Sequence, residues 1–386
     1  MIVIGLMSGT SADGVDIALC EITGQPPKVE ATILDATMIP YDAVMRDRIL
    51  QAVQAETGRV DKIGQLNFDL AAHFADAIQQ HKYHADLIAS HGQTVWHNVD
   101  ESGKVTSTLQ IGSGAVLAEK TGITVINNFR ERDVAAGGQG APLTAYVDYL
   151  LLRHETKWRA IQNIGGMGNV TLVPPLSDTT SELIAFDTGA GNALIDATVL
   201  HITDGQLAYD KDGQIANAGQ AVGAWLEDLL DQPYYHRKPP KTTGRELFGT
   251  EMAVKLVLEG QLQGYSNNDI VATLTALTAT SIAQAYRDFV AHNIGEIIIG
   301  GGGASNPTLM QMIQNLVQPI PVLTHEDIGL SSDYKEALVF AVLAYETWHN
   351  RSSTLPSQTG ASHSSILGQI TPGLNYADLI YKTWCL

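Results

Sequence analysis

Glycine constrains this chain more than any other residue type, because its glycines collect in turns that follow short apolar runs. The sequence has 36 glycines among 386 residues. Clusters at 5–14, 165–168, 189–191 and 300–303 each follow an apolar segment. Turns of this kind let the backbone reverse tightly or approach a ligand closely. Because strand-like and helix-like segments alternate between these turns, the predicted fold class is α/β.

Two of the glycine turns lie inside predicted β-hairpins of the same design. Residues 2–4 lead into the first turn, after which apolar side chains return with the period of two that is typical of a strand. Residues 158–164 lead into the second turn, and 170–173 continue it in the same way. Two hairpins of one design, about one domain length apart, indicate a duplicated domain.

The first turn, residues 9–16, has groups that suit a phosphate. Backbone N–H groups and hydroxyls can donate to phosphate oxygens, and Asp13 or Asp16 can orient Mg²⁺. The turn is neither a Walker A loop nor a dinucleotide-binding fingerprint, because no Gly-Lys-Ser/Thr follows and the chain continues as a strand. The alternative is a tight surface turn. The second turn, 165–169, favours the phosphate interpretation, since two such turns can clamp a polyphosphate.

Asp187 is the strongest candidate for a catalytic residue. It follows the apolar run 183–186 and precedes a Gly-x-Gly turn, and the carboxyl edge of an α/β sheet is where ligands bind. A carboxylate held there suits a general base; the alternative is a cap for the next helix. The glycines at 300–303 follow three isoleucines, which fits either a loop against the face of a nucleoside or a packing turn.

Further polar residues suggest a sugar site. Residues 90–97 combine hydrogen-bond donors with an aromatic side chain, and we expect His91 and His97 to be buried and hydrogen-bonded; no third ligand accompanies them, which excludes a zinc site. Arg130, with Arg132 and Asp133 beside it, is either part of a solvated ion-pair cluster or a contact to phosphate or substrate, and its glycine-rich surroundings favour the contact.

Composition excludes broad classes of partner. The 23 basic and 41 acidic residues give a net charge of −18, which argues against general binding to nucleic acid or anionic membranes. Cys20 and Cys385 provide neither a disulfide framework nor a Cys-x-x-Cys motif. No signal peptide or membrane-spanning run is predicted. We therefore expect a cytoplasmic protein with small-molecule partners.

The ordered set of motifs resembles one known family, anhydro-N-acetylmuramic acid kinase. The motifs run from residue 5 to about 340 and lie at residues 5–16, 90–94, 129–143, 163–166, 186–192 and 301–304. Two positions depart from the family pattern, Ala12 where leucine is usual and Ala190 where proline is usual. The first change is expected to be harmless, whereas the second removes a rigid φ near Asp187 and would loosen its placement.

The resemblance implies two ribonuclease H-like domains with a nucleotide in the cleft between them, the fold of sugar kinases, heat-shock chaperones and actin. We place the N-terminal domain, with the first phosphate hairpin and part of the sugar site, at residues 1–142 plus 366–386. The C-terminal domain, with the second hairpin, Asp187 and the adenosine loop, is placed at 143–365. A homodimer is also implied.

The resemblance further implies the reaction, in which 1,6-anhydro-N-acetylmuramic acid, ATP and water give N-acetylmuramic acid 6-phosphate and ADP during peptidoglycan recycling. Asp187 would be the catalytic base, and Mg²⁺ would be held by Asp13 and Asp16. Glu336, at the start of a predicted helix, is either a second substrate contact or a solvated helix residue. The candidate ATP contacts are Gly9, Thr10, Ser11, Ala12, Asp13, Gly14, Val15, Asp16, Gly165, Gly166, Asn169, Gly301, Gly302 and Gly303. The candidate sugar contacts are Gln93, Thr94, Arg130, Asp133 and Glu336.

Two other functions stay open at this point. One is a kinase for another anhydro sugar such as levoglucosan, which would need the same water chemistry without a pocket for lactyl and N-acetyl groups. The other is a nucleotide-driven conformational protein like the chaperones of this fold. The lack of an appended peptide-binding domain argues against the second.

Overall fold

The computed structural model describes residues 1–178 and 180–384, so Cys385 lies outside the described residues. The strands are β1 (Ile2–Ser8), β2 (Gly14–Gln25), β3 (Lys28–Pro40), β4 (Leu87–Val99), β5 (Val105–Ile111), β6 (Thr124–Asn127), β7 (Trp158–Ile164), β8 (Gly168–Val173), β9 (Ile184–Gly189), β10 (Ile294–Gly300), β11 (Val322–Thr324) and β12 (Gln369–Thr371).

Helices occupy much of the rest of the chain. They are α1 (Ala43–Ala52), α2 (Val60–Gln80), α3 (Gly114–Thr121), α4 (Phe129–Ala135), α5 (Thr144–Leu151), α6 (Ala193–Ile202), α7 (Gln214–Asn217), α8 (Gly223–Leu230), α9 (Pro233–His236), α10 (Arg245–Phe248), α11 (Thr250–Leu262), α12 (Asn267–Phe289), α13 (Pro307–Val317), α14 (Lys335–Trp348), α15 (Pro356–Thr359) and α16 (Tyr376–Trp384). None of them, within the described residues, has the length and apolarity needed to cross a bilayer.

The chain divides into two compact units, Met1–Leu151 with Asp333–Leu386, and Leu152–Ser332. In the first unit the strand order is β12-β6-β4-β1-β2-β3, and β5 pairs with β4. Strands β1, β2 and β3 are antiparallel, whereas β4 and β6 continue the sheet in parallel to β1. Helix α2 buries Leu66, Leu70 and Phe74 against this sheet, because residues four apart share one face of a helix.

The second unit repeats the same plan. Its strand order is β11-β10-β7-β8-β9, with an antiparallel β7-β8-β9 meander followed by parallel β10 and β11. The long helix α12 is buried along most of its length and begins at a capping box between Ser266 and Asp269. The predicted α/β class and the two hairpins of one design are thus confirmed, and the shared topology supports the predicted duplication.

The division of the chain differs from the expected one, because residues 143–151 and 333–365 lie in the first unit. Helix α14 packs directly on β1: a Cβ at Gly5 would overlap the backbone carbonyl of Ala337. Helix α5 is tied to α14, since the Tyr146 hydroxyl donates to Glu346 at 2.9 Å. Apolar periodicity predicted α14, but periodicity does not identify the sheet on which a helix packs.

The close approach of α14 to β1 has a measurable consequence for stability. We expect Gly5→Ala to lower the free energy of unfolding by about 1–3 kcal/mol or more, because overpacking at a backbone contact forces β1 and α14 apart. Gly64, inside α2, is the matched control, since a Cβ there would meet no atom within 4 Å. Gly64→Ala should instead raise stability by about 0.5–1 kcal/mol. Urea titrations of both variants test this, and equal effects would contradict the packing argument.

Candidate functional site

The first polar group of the site surrounds the turn between β1 and β2. Ser8, at the end of β1, is buried, and its hydroxyl lies 2.6 Å from Oε1 of Gln93 and 2.7 Å from the hydroxyl of Tyr41. Gln93 is itself buried and donates from Nε2 to the carbonyl of Thr94 at 3.2 Å. Gln93 therefore joins β4 to the end of β1, where the turn begins, while Thr94 is only partly covered.

The turn itself separates residues required for packing from residues free to meet a ligand. The N–H of Ala12 donates to the carbonyl of Gly9 at 3.2 Å, and Ala12 has a φ of 52° with its methyl group in the core. Gly14 and Val15 are buried in β2. Gly9 has room, because a Cβ there would meet only Ser11 Oγ, at 3.8 Å. Thr10, Ser11 and Asp13 are exposed, so the open side of the turn runs from Gly9 to Asp13.

Asp16 carries an unusual carboxyl group beside this turn. Burial, followed by the negative charges of Asp13, Glu336 and Asp333, raises the pKa of Asp16 to about 6. Among the described residues, no group of three His, Cys, Asp or Glu side chains is arranged to hold a metal by itself. A pair of carboxylates nevertheless fits Mg²⁺, which binds one or two carboxylates together with water and substrate phosphates.

Partly buried Arg130 and buried His91 form a hydrogen-bonded pair. The Nε–H of Arg130 donates to His91 Nε2 at 2.9 Å, and the Nδ1–H of His91 donates to the Gly92 carbonyl at 2.9 Å. Only a neutral imidazole can make both bonds, and burial, with the charge of Arg130, lowers the pKa of His91 to about 3. Glu336 is exposed and acts electrostatically on Arg130. The structure thus brings Glu336 close enough to interact electrostatically with both Arg130 and Asp16.

Two other predicted residues have different environments. Asp133 is fully buried, and its carboxylate accepts from the Gly140 N–H and the Thr359 hydroxyl, both at 2.7 Å. Its visible role is to shape the glycine-rich loop, and its contact with a sugar stays a prediction. His97, expected to be buried, is exposed and lies 3.2 Å from the Thr108 hydroxyl, because β4 turns its far end toward solvent. Arg130 makes no ion pair with Asp133 among the described residues; it donates instead to the Gly140 carbonyl at 2.8 Å.

In the second unit, the turn between β7 and β8 is fixed by the start of α6. The carbonyls of Gly165 and Gly166 accept from the N–H groups of Asn192 and Ala193 at 2.8 and 3.0 Å. No acceptor for the N–H of either glycine exists in the part of the chain that the structure describes. A Cβ at Gly166 would meet nothing within 4 Å. The turn therefore presents donors and space, which is what a phosphate requires.

Asp187 lies within β9, opposite Asn169 of β8. The cap interpretation is wrong, because Asn192 stands at the N-cap of α6. One carboxylate oxygen, Oδ2, accepts from the Thr243 N–H at 2.9 Å, while Oδ1 has no partner among the described residues. Burial raises the pKa of Asp187, and the Thr243 bond and the charge of Lys241 oppose that rise. One oxygen is thus anchored and the other is available to accept a proton.

The segment around Lys241 is the part of the site that sequence reasoning missed. The Asp187 N–H donates to the Lys241 carbonyl at 3.0 Å, and the Tyr234 hydroxyl donates to the Asp187 carbonyl at 2.9 Å. With the Thr243 bond, residues 234–243 hold Asp187 at three atoms. In the sequence these residues read only as a basic, proline-containing stretch, and no spacing links them to Asp187. The hydrogen bonds from residues 234–243 also position Asp187, although residue 190 is alanine where proline is usual.

The glycine cluster after β10 serves both packing and a pocket. A Cβ at Gly301 would lie 2.5 Å from Asn163 Oδ1, and one at Gly303 would overlap Ile164. Gly302 instead lines a pocket of about 570 Å³, a size suited to a small-molecule ligand. Its other lining residues are Asn192, Ile195, Asp196, Ala208, Tyr209, Asp210, Lys211, Asp212, Ser305 and Asn306. Residues 208–212 form one wall of this pocket, and no motif in their sequence predicted a ligand-binding role.

Comparisons with known proteins give the family. Among solved structures, the activator of 2-hydroxyisocaproyl-CoA dehydratase from Clostridium difficile, with bound ADPNP, is 12% identical, with a TM-score of 0.43 over 91% of this chain and 96% of that one. Anhydro-N-acetylmuramic acid kinases from Caldanaerobacter subterraneus subsp. tengcongensis and Bacillus cereus (strain G9842) are each 44% identical over 383 residues, covering 96% of this chain and 96% and 99% of theirs. The model of the anhydro-N-acetylmuramic acid kinase family matches residues 1–373. This chain therefore belongs to the anhydro-N-acetylmuramic acid kinase family.

Proposed function

We propose that this chain uses ATP and water to convert 1,6-anhydro-N-acetylmuramic acid into N-acetylmuramic acid 6-phosphate and ADP, a step of peptidoglycan recycling. The observation that carries the proposal is Asp187, a half-buried carboxylate with one oxygen anchored by the Thr243 N–H and the other without a partner among the described residues. Such a group accepts a proton from a bound water. Phosphorylation of a hydroxyl that is already free would not require a water molecule, whereas opening the 1,6-anhydro ring does.

The proposed reaction couples two displacements, one at the anomeric carbon and one at the γ-phosphorus. Asp187 takes a proton from water as the water oxygen bonds to the anomeric carbon, and the bond from that carbon to O6 breaks. The freed O6 then attacks the γ-phosphorus, ADP leaves, and the proton on Asp187 returns to solvent. Phosphoryl transfer depends mainly on alignment and charge neutralisation. The protein therefore has to hold the sugar, the water and the phosphates in fixed positions.

Residues of the first unit are proposed to bind the sugar. Arg130 is held by His91 and by the Gly140 carbonyl through two of its nitrogens, which leaves further N–H groups for an anionic or hydroxyl group of the substrate. Glu336 is exposed near it and suits a sugar hydroxyl as an acceptor. Thr94 offers a partly covered hydroxyl, and Gln93 and Asp133 support these contacts from within the fold.

The nucleotide is proposed to use the open turns. The exposed residues of 9–13 and the N–H groups of Gly165 and Gly166 would contact phosphates, and the pocket beside Gly302 would take the adenosine. Asp13 and Asp16 would hold Mg²⁺, which when bound neutralises charge on the phosphates. We further propose that the chain acts as a cytoplasmic homodimer, as the family resemblance implies.

The role of Asp187 is tested by Asp187→Asn. The amide cannot accept the proton of water, so we expect sugar phosphorylation to fall at least about 100-fold, the usual contribution of a general base, while ATP affinity stays within about twofold. The matched control is Asp204→Asn, which changes an exposed aspartate with a φ of 51° and should leave the rate unchanged. Coupled ADP release and calorimetry measure both quantities. Near-normal turnover of Asp187→Asn would refute the assignment.

The role of Asp16 predicts opposite effects on stability and activity. Its carboxyl has a pKa of about 6, above the value of an unfolded chain, so its ionised form destabilises the fold above about pH 4, increasingly as pH rises through 6. At pH 7 without Mg²⁺, Asp16→Asn should therefore raise stability by about 1 kcal/mol after allowance for solvent screening. The same change should weaken Mg²⁺-dependent turnover. Denaturant titration and Mg²⁺ titration measure the two effects, and loss of stability in the variant would contradict this account.

A further inference from the structure

A buried lysine shares its loop with the proposed base. Lys241 is 4% exposed, and lysine is almost never fully buried unless its charge is balanced. Its ammonium group lies 3.4 and 3.3 Å from the carbonyl oxygens of Tyr234 and Tyr235. It also lies 4.5 Å from the ring centre of Phe289 and 4.9 Å from that of Tyr234. Carbonyl dipoles and aromatic faces thus stabilise the cation inside the fold.

The backbone fixes this lysine relative to Asp187. The Asp187 N–H donates to the carbonyl of Lys241 itself, at 3.0 Å, and the Thr243 N–H two residues later donates to the Asp187 carboxylate at 2.9 Å. Tyr234, whose carbonyl and ring hold the ammonium group, donates from its hydroxyl to the Asp187 carbonyl at 2.9 Å. Tyr234 and Lys241 thus contribute to the contacts of both groups, which places the ammonium group in the loop that holds Asp187.

Few charged groups act on Lys241 and Asp187. Arg237 opposes the charge of Lys241, while Asp288, on helix α12, and Asp187 support it. Burial is the largest influence on both groups: it lowers the pKa of Lys241 and raises that of Asp187. Besides the Thr243 N–H, Lys241 is the group that favours the ionised form of Asp187, and ionised Asp187 in turn raises the pKa of the Tyr234 phenol.

We propose that Lys241 is a positioning residue for the base: its buried ammonium group, held by the carbonyls of Tyr234 and Tyr235, favours the ionised form of Asp187 against the neutral form that burial favours. This inference rests on the proposed function, because it concerns the base of that reaction. Lys241 does not touch the substrate. It acts through Asp187 alone, so its removal should change the pH at which the enzyme works more than the rate at the optimum.

The test is the pH profile of kcat/KM for ATP-dependent phosphorylation of the anhydro sugar. Lys241→Met replaces the lysine with an unbranched apolar side chain of similar length, and Lys241→Gln keeps a donor for the two carbonyls without the charge. Both should move the acidic limb of the profile to higher pH by about one unit, the usual effect of a nearby opposite charge. Lys241→Arg keeps the charge and should leave the limb in place. Lys255→Met, at an exposed lysine of α11, should also leave it in place.

A second measurement does not require activity. In protein labelled with ¹³C at aspartate carboxyl groups, the signal of Asp187 is identified by its absence from Asp187→Asn, and its titration is followed by NMR. The Asp187 midpoint should rise by about one unit in Lys241→Met and Lys241→Gln, with the spectrum of the folded state retained. If that midpoint rises while the wild type fails to phosphorylate the sugar, the proposed function fails and the electrostatic inference stands.

Other outcomes overturn the inference. If both uncharged variants lose activity equally at every pH, with the acidic limb and the Asp187 midpoint unchanged, Lys241 is only a packing residue of the loop. If Lys241→Arg shifts the limb as much as Lys241→Gln, side-chain shape rather than charge governs the base. If Lys241→Met does not fold, Lys241→Gln decides between these cases, because its amide is still a hydrogen-bond donor inside the loop.

Discussion

The first unit depends on the close packing of helix α14 against strand β1. Gly5 lies so near the carbonyl of Ala337 that no side chain fits between them, and this contact joins segments more than 300 residues apart in the sequence. Because Glu336 precedes Ala337, the same packing brings its carboxylate within electrostatic range of Asp16 and Arg130. Burial, followed by the charges of Asp13, Glu336 and Asp333, raises the pKa of Asp16 to about 6. Tertiary packing therefore supplies the Glu336 and Asp333 charges, and a cation bound there would relieve the repulsion.

In the second unit, burial and ionisation of the Asp187 carboxyl group oppose each other. A general base must be shielded from solvent to be effective, yet shielding favours the neutral form of a carboxyl group. Asp187 is only partly buried, and its oxygen Oδ2 receives the Thr243 N–H. The remaining compensation comes from Lys241, whose ammonium group is itself stabilised by carbonyls and rings. The proposed base, the N–H that it accepts from and its proposed counter-charge thus lie on one strand and one loop.

The sequence predicted elements and turns well, because periodicity and glycine position are local properties. The hairpins at Gly9 and Gly166 and the strand before Gly301 all follow from neighbouring residues. Contacts between distant segments were not predictable: α14 was expected in the other domain, and Lys241 read only as part of a basic stretch. The motif around Asp187 was recognised, but its cap alternative could be excluded only when the strand was seen to continue through it. The family resemblance supplied the chemistry that neither periodicity nor charge could supply.

The central claim is that water opens the anhydro ring in the same reaction that phosphorylates O6. The most direct test is turnover of 1,6-anhydro-N-acetylmuramic acid and ATP in water labelled with ¹⁸O, with levoglucosan as a parallel substrate and mass spectrometry of the sugar phosphate. To prevent later exchange at the anomeric carbon, the product is reduced as it forms. Our account predicts one labelled oxygen at the anomeric carbon and none in the phosphoryl group. Label in the phosphoryl group, or an unlabelled product in which the ring is still closed, would contradict it.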